Sequence, residues 1–296
     1  FESQVLSRYT VWVQNGSFLV FAALKIGLIL NNAPLIAFAW ATMAEALMVA
    51  LLLGVMLGLR GPRLRHLRIT LERAKTLLKD SWPLLLSGIA ILIYMKIDQI
   101  MLGQMVGDEA VGIYTAATRI SEVWYFIPMA IVASVFPAIL EAKKRGEAHY
   151  KQRLQKLYDL MVALSVGVAI PMTFLSTELV TVLFGDAYQA SGAVLAIHIW
   201  ASVFVFLGVA SGKWFIAENR QLLSFQRTAL GAVVNFSLNL WLIPLYGPVG
   251  AAVATVVSQA AAAWLFDSAQ QVTRRMFFMK LKAMNPLRIN YIFRWD

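Results

Sequence analysis

The sequence predicts an all-α, polytopic membrane protein, and three observations predict it. The chain of 296 residues is 59% hydrophobic and only 14% charged, with a mean hydropathy of +0.67; an ordinary soluble domain is about 25% charged. Its apolar residues gather into stretches near the ~20 residues that a helix needs to cross a bilayer core of about 30 Å. The alternating ten-residue segments of outer-membrane barrels are absent.

Eight stretches qualify: 11–30, 35–59, 83–105, 111–140, 157–177, 191–217, 223–245 and 248–268. Many are rich in Leu, Ala and Gly, with internal Gly and Pro of the kind that transmembrane helices tolerate. Basic residues fall in alternate connectors. Arg60, Arg63, Arg65, Arg68, Arg73, Lys75 and Lys79 lie between the second and third stretches, and Lys143, Lys144, Arg145, Lys151, Arg153 and Lys156 between the fourth and fifth. Arg220 and Arg227 flank the loop after the sixth, and the tail adds Arg274, Arg275, Lys280, Lys282, Arg288 and Arg294. The opposite connectors, 31–34, 106–110, 178–190 and 246–247, hold no Lys or Arg. The positive-inside rule therefore places both termini of this chain in the cytoplasm. A formal net charge of +10 follows from those loops and implies no nucleic-acid partner.

The longest basic connector, 61–81, repeats Leu64, Leu67, Leu71, Ala74 and Leu78 at helical spacing between cations. That pattern predicts an amphipathic helix on the inner leaflet, joining two bundles, with anionic inner-leaflet lipids as partners. Phe277, Phe278 and Leu281 repeat the theme among the basic residues of the tail.

Enzyme signatures are missing, so the chain is not expected to be an enzyme. There is no cysteine, the three histidines (His66, His149 and His198) are scattered, and neither HExxH nor a phosphate-cradling GxxxxGK[ST] occurs. No metal or cofactor is expected. His198, among Ile197, Ile199 and Trp200, reads as a packed or hydrogen-bonded helix residue.

Chemistry is expected instead from charges inside the apolar stretches, because a charged side chain at the bilayer centre costs roughly 2.5 to 3.5 kcal/mol on insertion scales. Lys25, Lys96, Arg119 and Lys213 are the cations so placed, and they are the candidate substrate-binding residues. Lys96 and Asp98 are two apart and point about 160° away from each other on a helix. Arg119 and Glu122 are three apart and share a face. Antiparallel packing across the short loop 106–110 would bring Asp98 toward Arg119. Glu45, in the following helix, is a candidate partner for Lys25. Lys213 lies near the cytoplasmic end, within snorkelling reach of the interface. Asp98, Glu122 and Glu45 are thus the candidate charge partners or ion-coupling groups. Asn235 and Asn239, one helical turn apart, and Pro244 after them are candidates for helix packing or gating.

Two stretches resemble a known family. Within residues 81–141, the Asp of IDQIMLG, the VGIYTAATRI that follows and the FP closing the second helix are similar to the first helix pair of the carboxyl-terminal lobe in polysaccharide-repeat (O-antigen type) flippases. Residues 235–255, NFSLNLWLIPLYGPVGAAVAT, resemble the late Asn-rich helix, the IPxYG turn and the GAA opening of the last helix in that family. VLFGDAYQAS, Val182 to Ser191, resembles its outer loop. These flippases belong to the multidrug, oligosaccharidyl-lipid and polysaccharide flippase superfamily. The resemblance covers residues 81–272, and the first two helices by position alone.

The resemblance implies two lobes of six helices that alternate access across the bacterial inner membrane. Residues 1–60 would be the last two helices of an amino-terminal lobe and 61–81 the linker. Residues 82–272 would be a whole carboxyl-terminal lobe and 273–296 a basic cytoplasmic tail. The first four helices would be missing, and the absent initial methionine agrees with a fragment. The implied substrate is an undecaprenyl-diphosphate-linked oligosaccharide, with a polysaccharide polymerase and a chain-length regulator as further partners. A diphosphate calls for cations, which Lys96, Arg119 and Lys25 supply. Rival readings are a multidrug exporter or lipid II flippase of the same superfamily, or a membrane-embedded polysaccharide polymerase. A polymerase calls for a large outer loop with catalytic groups, and the longest outer connector, 178–190, holds no Arg or His.

Overall fold

The computed structural model describes residues 7–60, 72, 75, 78, 95–218 and 220–285, and among these every regular element is a helix. The chain divides into two compact units, Phe1–Ser81 and Trp82–Asp296. It is a multi-pass membrane protein: its described helices are long and apolar enough for repeated crossing.

In the first unit, α1 (Ser7–Leu30) and α2 (Leu35–Arg60) form a helical hairpin. The turn uses Asn32 at φ 49°, a left-handed conformation that asparagine tolerates, while Asn31 Nδ2 donates to the Gly27 carbonyl at 2.8 Å. Phe18, Leu19, Ile29, Trp40 and Leu51 stay exposed on its flanks. Apolar surface of that extent is what a bilayer or a neighbouring helix bundle covers. The predicted amphipathic connector 61–81 lies outside the described residues apart from Glu72, Lys75 and Leu78.

The second unit opens on α3, residues 95–105, the described part of the stretch predicted from residue 83. It is followed by α4 (Asp108–Glu122), a 3-10 turn (Val123–Tyr125) and α5 (Phe126–Arg145). The turn sits just ahead of Pro128, whose ring removes the backbone bond to the Trp124 carbonyl. α6 (Glu147–Phe184) starts ten residues before the predicted stretch. Gly146, at φ 133°, makes the break, and the polar residues after it extend the helix beyond the apolar span.

The predicted stretch 191–217 is split at Ile199 and Trp200 into α7 (Ser191–His198) and α8 (Ala201–Ala217). The helical run α9 (Gln221–Ala260) is 40 residues, about 60 Å of helix, too long for one crossing. It turns back on itself at Gly247, φ 54°, between Pro244 and Pro248. A Cβ added at Gly250 would lie 2.2 Å from the Leu242 carbonyl oxygen, whereas residues eight apart in a continuous helix are about 12 Å apart. Two spans joined by a tight hairpin result, where the sequence predicted them.

Two cores hold the second unit. Near the end without basic residues, Leu102, Tyr114, Ala117, Val194, Leu195, Ile243 and Ala251 pack together from α3, α4, α7 and α9. Near the basic end, Val132, Leu157, Tyr158, Met161, Phe206 and Leu207 join α5, α6 and α8. Small residues set the spacing, as membrane helices need when lipid is as apolar as leucine. A Cβ on Gly192 would come within 2.7 Å of the Thr177 backbone, so α7 and α6 touch there at backbone distance.

The tail departs from the expectation of a basic surface segment. After a π-helical turn (Ala261–Leu265) and α10 (Phe266–Ala269), α11 (Arg274–Ala283) packs against α6. Lys280 is fully buried. Its ammonium donates to Asp267 Oδ2 at 2.7 Å, the Ala263 carbonyl at 2.6 Å and Ser211 Oγ at 3.1 Å, filling all three N–H groups. Arg227, read from sequence as a loop flank, donates Nη1 to the same Ser211 at 2.8 Å and lies 5.0 Å from the Phe215 ring.

Replacing Lys280 by Met strands Asp267 and should cost about 3 to 5 kcal/mol; Lys280→Met with Asp267→Leu should cost less than the single change, read by thermal unfolding of the purified protein. Burial pulls the Lys280 ammonium down to about 8, against about 10.4 in an unfolded chain. Between those values the unfolded chain holds a proton that the folded one lacks. The stability of wild type relative to the Lys280→Met/Asp267→Leu variant should therefore rise from about pH 8 toward about pH 10.4.

Candidate functional site

Asp98, on α3, is 5% exposed and receives neutral donors from two other helices. Tyr114 Oη donates to Oδ2 at 2.7 Å and Asn239 Nδ2 to Oδ1. Thr255 Oγ1 lies 2.8 Å from Oδ2, with the Ala251 carbonyl as a second acceptor for its single proton. Asn239 Nδ2 also donates to Asn235 Oδ1 at 3.1 Å. Beside this network Ser121 Oγ and His198 Nδ1 are 2.6 Å apart, and the His198 and Tyr114 rings meet edge to face with centroids 5.9 Å apart.

The partners are set by distance from the turns. Asp98 and Tyr114 each stand eight residues from Val106 in the α3–α4 turn, and Asn239 and Thr255 each stand eight from Gly247 in the α9 hairpin. At 1.5 Å per residue, all four reach about 12 Å into the bundle from the same end. Asn235, one turn beyond Asn239, completes the row.

A cleft with about 410 Å³ of empty space opens onto this row, lined by Asp98, Gln99, Glu122, Tyr125, His198 and Gln259 among others. Asn235 Nδ2, of a lining residue, and Asn239 Oδ1, one turn away, are buried and have no partner among the described residues. The oxygens of Asp98, Tyr114 and Thr255 thus converge on one small region at membrane depth. Oxygen ligands of that kind suit a proton or a hard cation.

The predicted approach of Asp98 to Arg119 is not what the structure shows. Tyr114 faces Asp98, and Arg119, five residues on, is turned about 140° around the same helix. Arg119 is exposed, as is Lys96, and no ion pair joins either to Asp98 among the described residues. Glu122 is half-buried and lies within electrostatic reach of Lys96, Asp98 and Arg119. Lys25 Nζ is 2.8 Å from Glu45 Oε2, both partly exposed, inside the first unit. Lys213 is exposed near the end of α8. Pro244 belongs to the turn that sets the register of Asn239 and Thr255.

A family model described as "Polysaccharide biosynthesis protein" matches residues 1–143, and the MatE model matches residues 83–241, more than half of the chain. The chain belongs to the MatE family. With it, the chain belongs to the multidrug, oligosaccharidyl-lipid and polysaccharide flippase superfamily; the first match covers just under half of the chain.

Relatives carry names of the same kind. A probable low-salt glycan biosynthesis flippase of Haloferax volcanii is 27% identical over 225 residues, 73% of this chain and 47% of that protein. A probable flippase of the same organism is 30% identical over 173 residues, 56% of this chain and 35% of that protein. A putative O-antigen transporter of Shigella dysenteriae is 25% identical over 184 residues, 62% of this chain and 46% of that protein. This MatE chain spans less than half the length of each of these three.

Tyr114→Phe leaves Asp98 Oδ2 with Thr255 alone and should cost about 1 kcal/mol, while Asp98→Ala removes the acceptor that three buried donors share and should cost about 2 to 3 kcal/mol. Thermal unfolding of the two variants in one detergent checks the order.

Proposed function

We propose that this chain is part of a flippase that carries undecaprenyl-diphosphate-linked oligosaccharide across the bacterial inner membrane by alternating access. In this reading residues 1–60 end an amino-terminal lobe and 61–81 link it to the lobe of residues 82–272. Residues 273–296 are the tail, and both termini of the chain face the cytoplasm. The names of the relatives support it.

The observation that carries the reading is the exposure of Arg119. It stands eleven residues into α4, about 17 Å along a helix that crosses a core of about 30 Å. A guanidinium at that depth needs water or an anion rather than acyl chains. Lys96 is exposed as well, and Glu122 is the carboxylate within reach of both. Neither cation forms an ion pair among the described residues, so both have N–H groups open to a diphosphate, a cargo they suit better than a cationic drug. Lys25 and Lys213 are further candidate substrate contacts. Asp98, with its ring of oxygens, is the candidate coupling site for a proton or sodium gradient, and Glu122 the second titratable group in the same cleft. A polysaccharide polymerase and a chain-length regulator are the partners such a step requires.

With the full-length protein in proteoliposomes, Arg119→Ala should slow movement of labelled lipid-linked oligosaccharide at least about tenfold, the equivalent of 1.4 kcal/mol or more. Membrane accumulation should stay unchanged and Arg119→Lys should keep partial activity. Wild-type movement no faster than in empty vesicles would overturn the function, and equal loss of accumulation would make Arg119 structural. Asp98→Asn should remove the response to an imposed proton or sodium gradient while leaving gradient-free exchange measurable.

A further inference from the structure

A second cleft lies at the basic end of the second unit, with about 600 Å³ of empty space among α5, α6, α8 and α11. Its rim carries Lys143, Lys151 and Arg275 against Glu147 and Glu218. Lys143 pairs with Glu218, Arg275 Nη1 lies 2.5 Å from Glu147 Oε1, and Lys151 Nζ is 3.9 Å from that same oxygen. Two carboxylates therefore serve three cations. Donors are in larger surplus: among the described residues Arg275 engages one of five guanidinium N–H groups, and Lys151 stands beyond hydrogen-bond distance of Glu147. The Lys143 ammonium also sits 5.8 Å from the Tyr150 ring centre, an arrangement that leaves N–H groups for a ligand.

Below the rim the lining turns apolar. Tyr150, Leu154 and Met276 are buried there, beside Met279 and Trp214. The level is that of a membrane interface: α5 passes from its apolar run into Lys143, Lys144 and Arg145, and α6 begins at Glu147. Tyr and Trp beside basic residues are the usual side chains at that level. A cationic rim over an apolar floor is complementary to a molecule with a phosphate at one end and hydrocarbon at the other.

We propose that this cleft binds the phosphate of an anionic phospholipid, held by Lys143, Lys151 and Arg275, with the start of its hydrocarbon against Trp214, Met276 and Met279. The site is separate from the Asp98 cleft and its ligand is not the cargo. The rim pairs are partly exposed and contribute little to folding, so charge removal tests binding rather than the fold.

The test measures thermal unfolding of the full-length protein in detergent with added phosphatidylglycerol, phosphatidylcholine or inorganic phosphate. Phosphatidylglycerol should raise the transition by several degrees, phosphatidylcholine by less than half as much. The variant Lys143→Gln/Lys151→Gln/Arg275→Gln should lose most of that rise, while Lys144→Gln/Arg145→Gln/Arg153→Gln, with equal charge removed nearby, should keep it. Glu147→Gln/Glu218→Gln should tighten phosphatidylglycerol binding several-fold, by freeing the cations, and this arm stands even if the triple variant does not fold. Equal losses in both triple variants, weaker binding in the double Gln variant, or a full effect from inorganic phosphate alone would each overturn the proposal.

Discussion

A carboxyl group inside a membrane bundle has to find its hydrogen bonds within the protein, and that requirement organises the second unit around Asp98. Three donors, from α4 and both halves of α9, converge on it. Each belongs to a helix that must arrive at the same depth and rotation. The tight turn at Gly247, the short α3–α4 turn and the alanine-lined contacts of Ala117, Ala251 and Ala252 all serve that convergence. Packing in lipid gains little from apolar burial as such, so polar contacts of this kind and close backbone approach carry more of the specification than they would in water.

The basic end solves the same problem by a different device. Lys280 is saturated by one carboxylate, one carbonyl and one hydroxyl, and Arg227 shares the hydroxyl of Ser211. The result ties α8, the first half of α9, the π-helical turn and α11 together. The two ends of the second unit thus differ in character: neutral donors around an acid at one, cations around an acid at the other. Between them lie Arg119 and Lys96, exposed cations that form no ion pair among the described residues.

Spans, turns and fold class were legible because each rests on local composition: apolar length, Gly-Pro punctuation and the sidedness of Lys and Arg. Asp98, Asn235 and Asn239 were legible as polar residues in apolar stretches, but their meeting was not. Pairing by charge pointed Asp98 to Arg119, whereas the structure satisfies it with a tyrosine, a threonine and an asparagine. Tyr114 and Thr255 carry no signal as single residues in a helix. Their equal spacing from the turns is the signal, and it becomes readable once the turns are placed. Lys280 was hidden for the opposite reason: among Arg274, Arg275 and Lys282 it looks like one more surface cation, and only the fold shows which member of the run points inward. The connector 61–81 lies outside the described residues except at three positions, and its reading still rests on periodicity.

The hairpin at Gly247 also acts as a ruler. Asn239 and Thr255 are sixteen residues apart with the turn at the midpoint, and one residue added or removed on either arm would shift that arm by about 1.5 Å and rotate it by about 100°. The polar row would then face lipid or a neighbouring backbone instead of Asp98. Chain length in this segment is therefore under tighter constraint than residue identity. A Leu-for-Ile change along the lipid-facing side is absorbed locally, but a one-residue change in length puts the whole network out of phase.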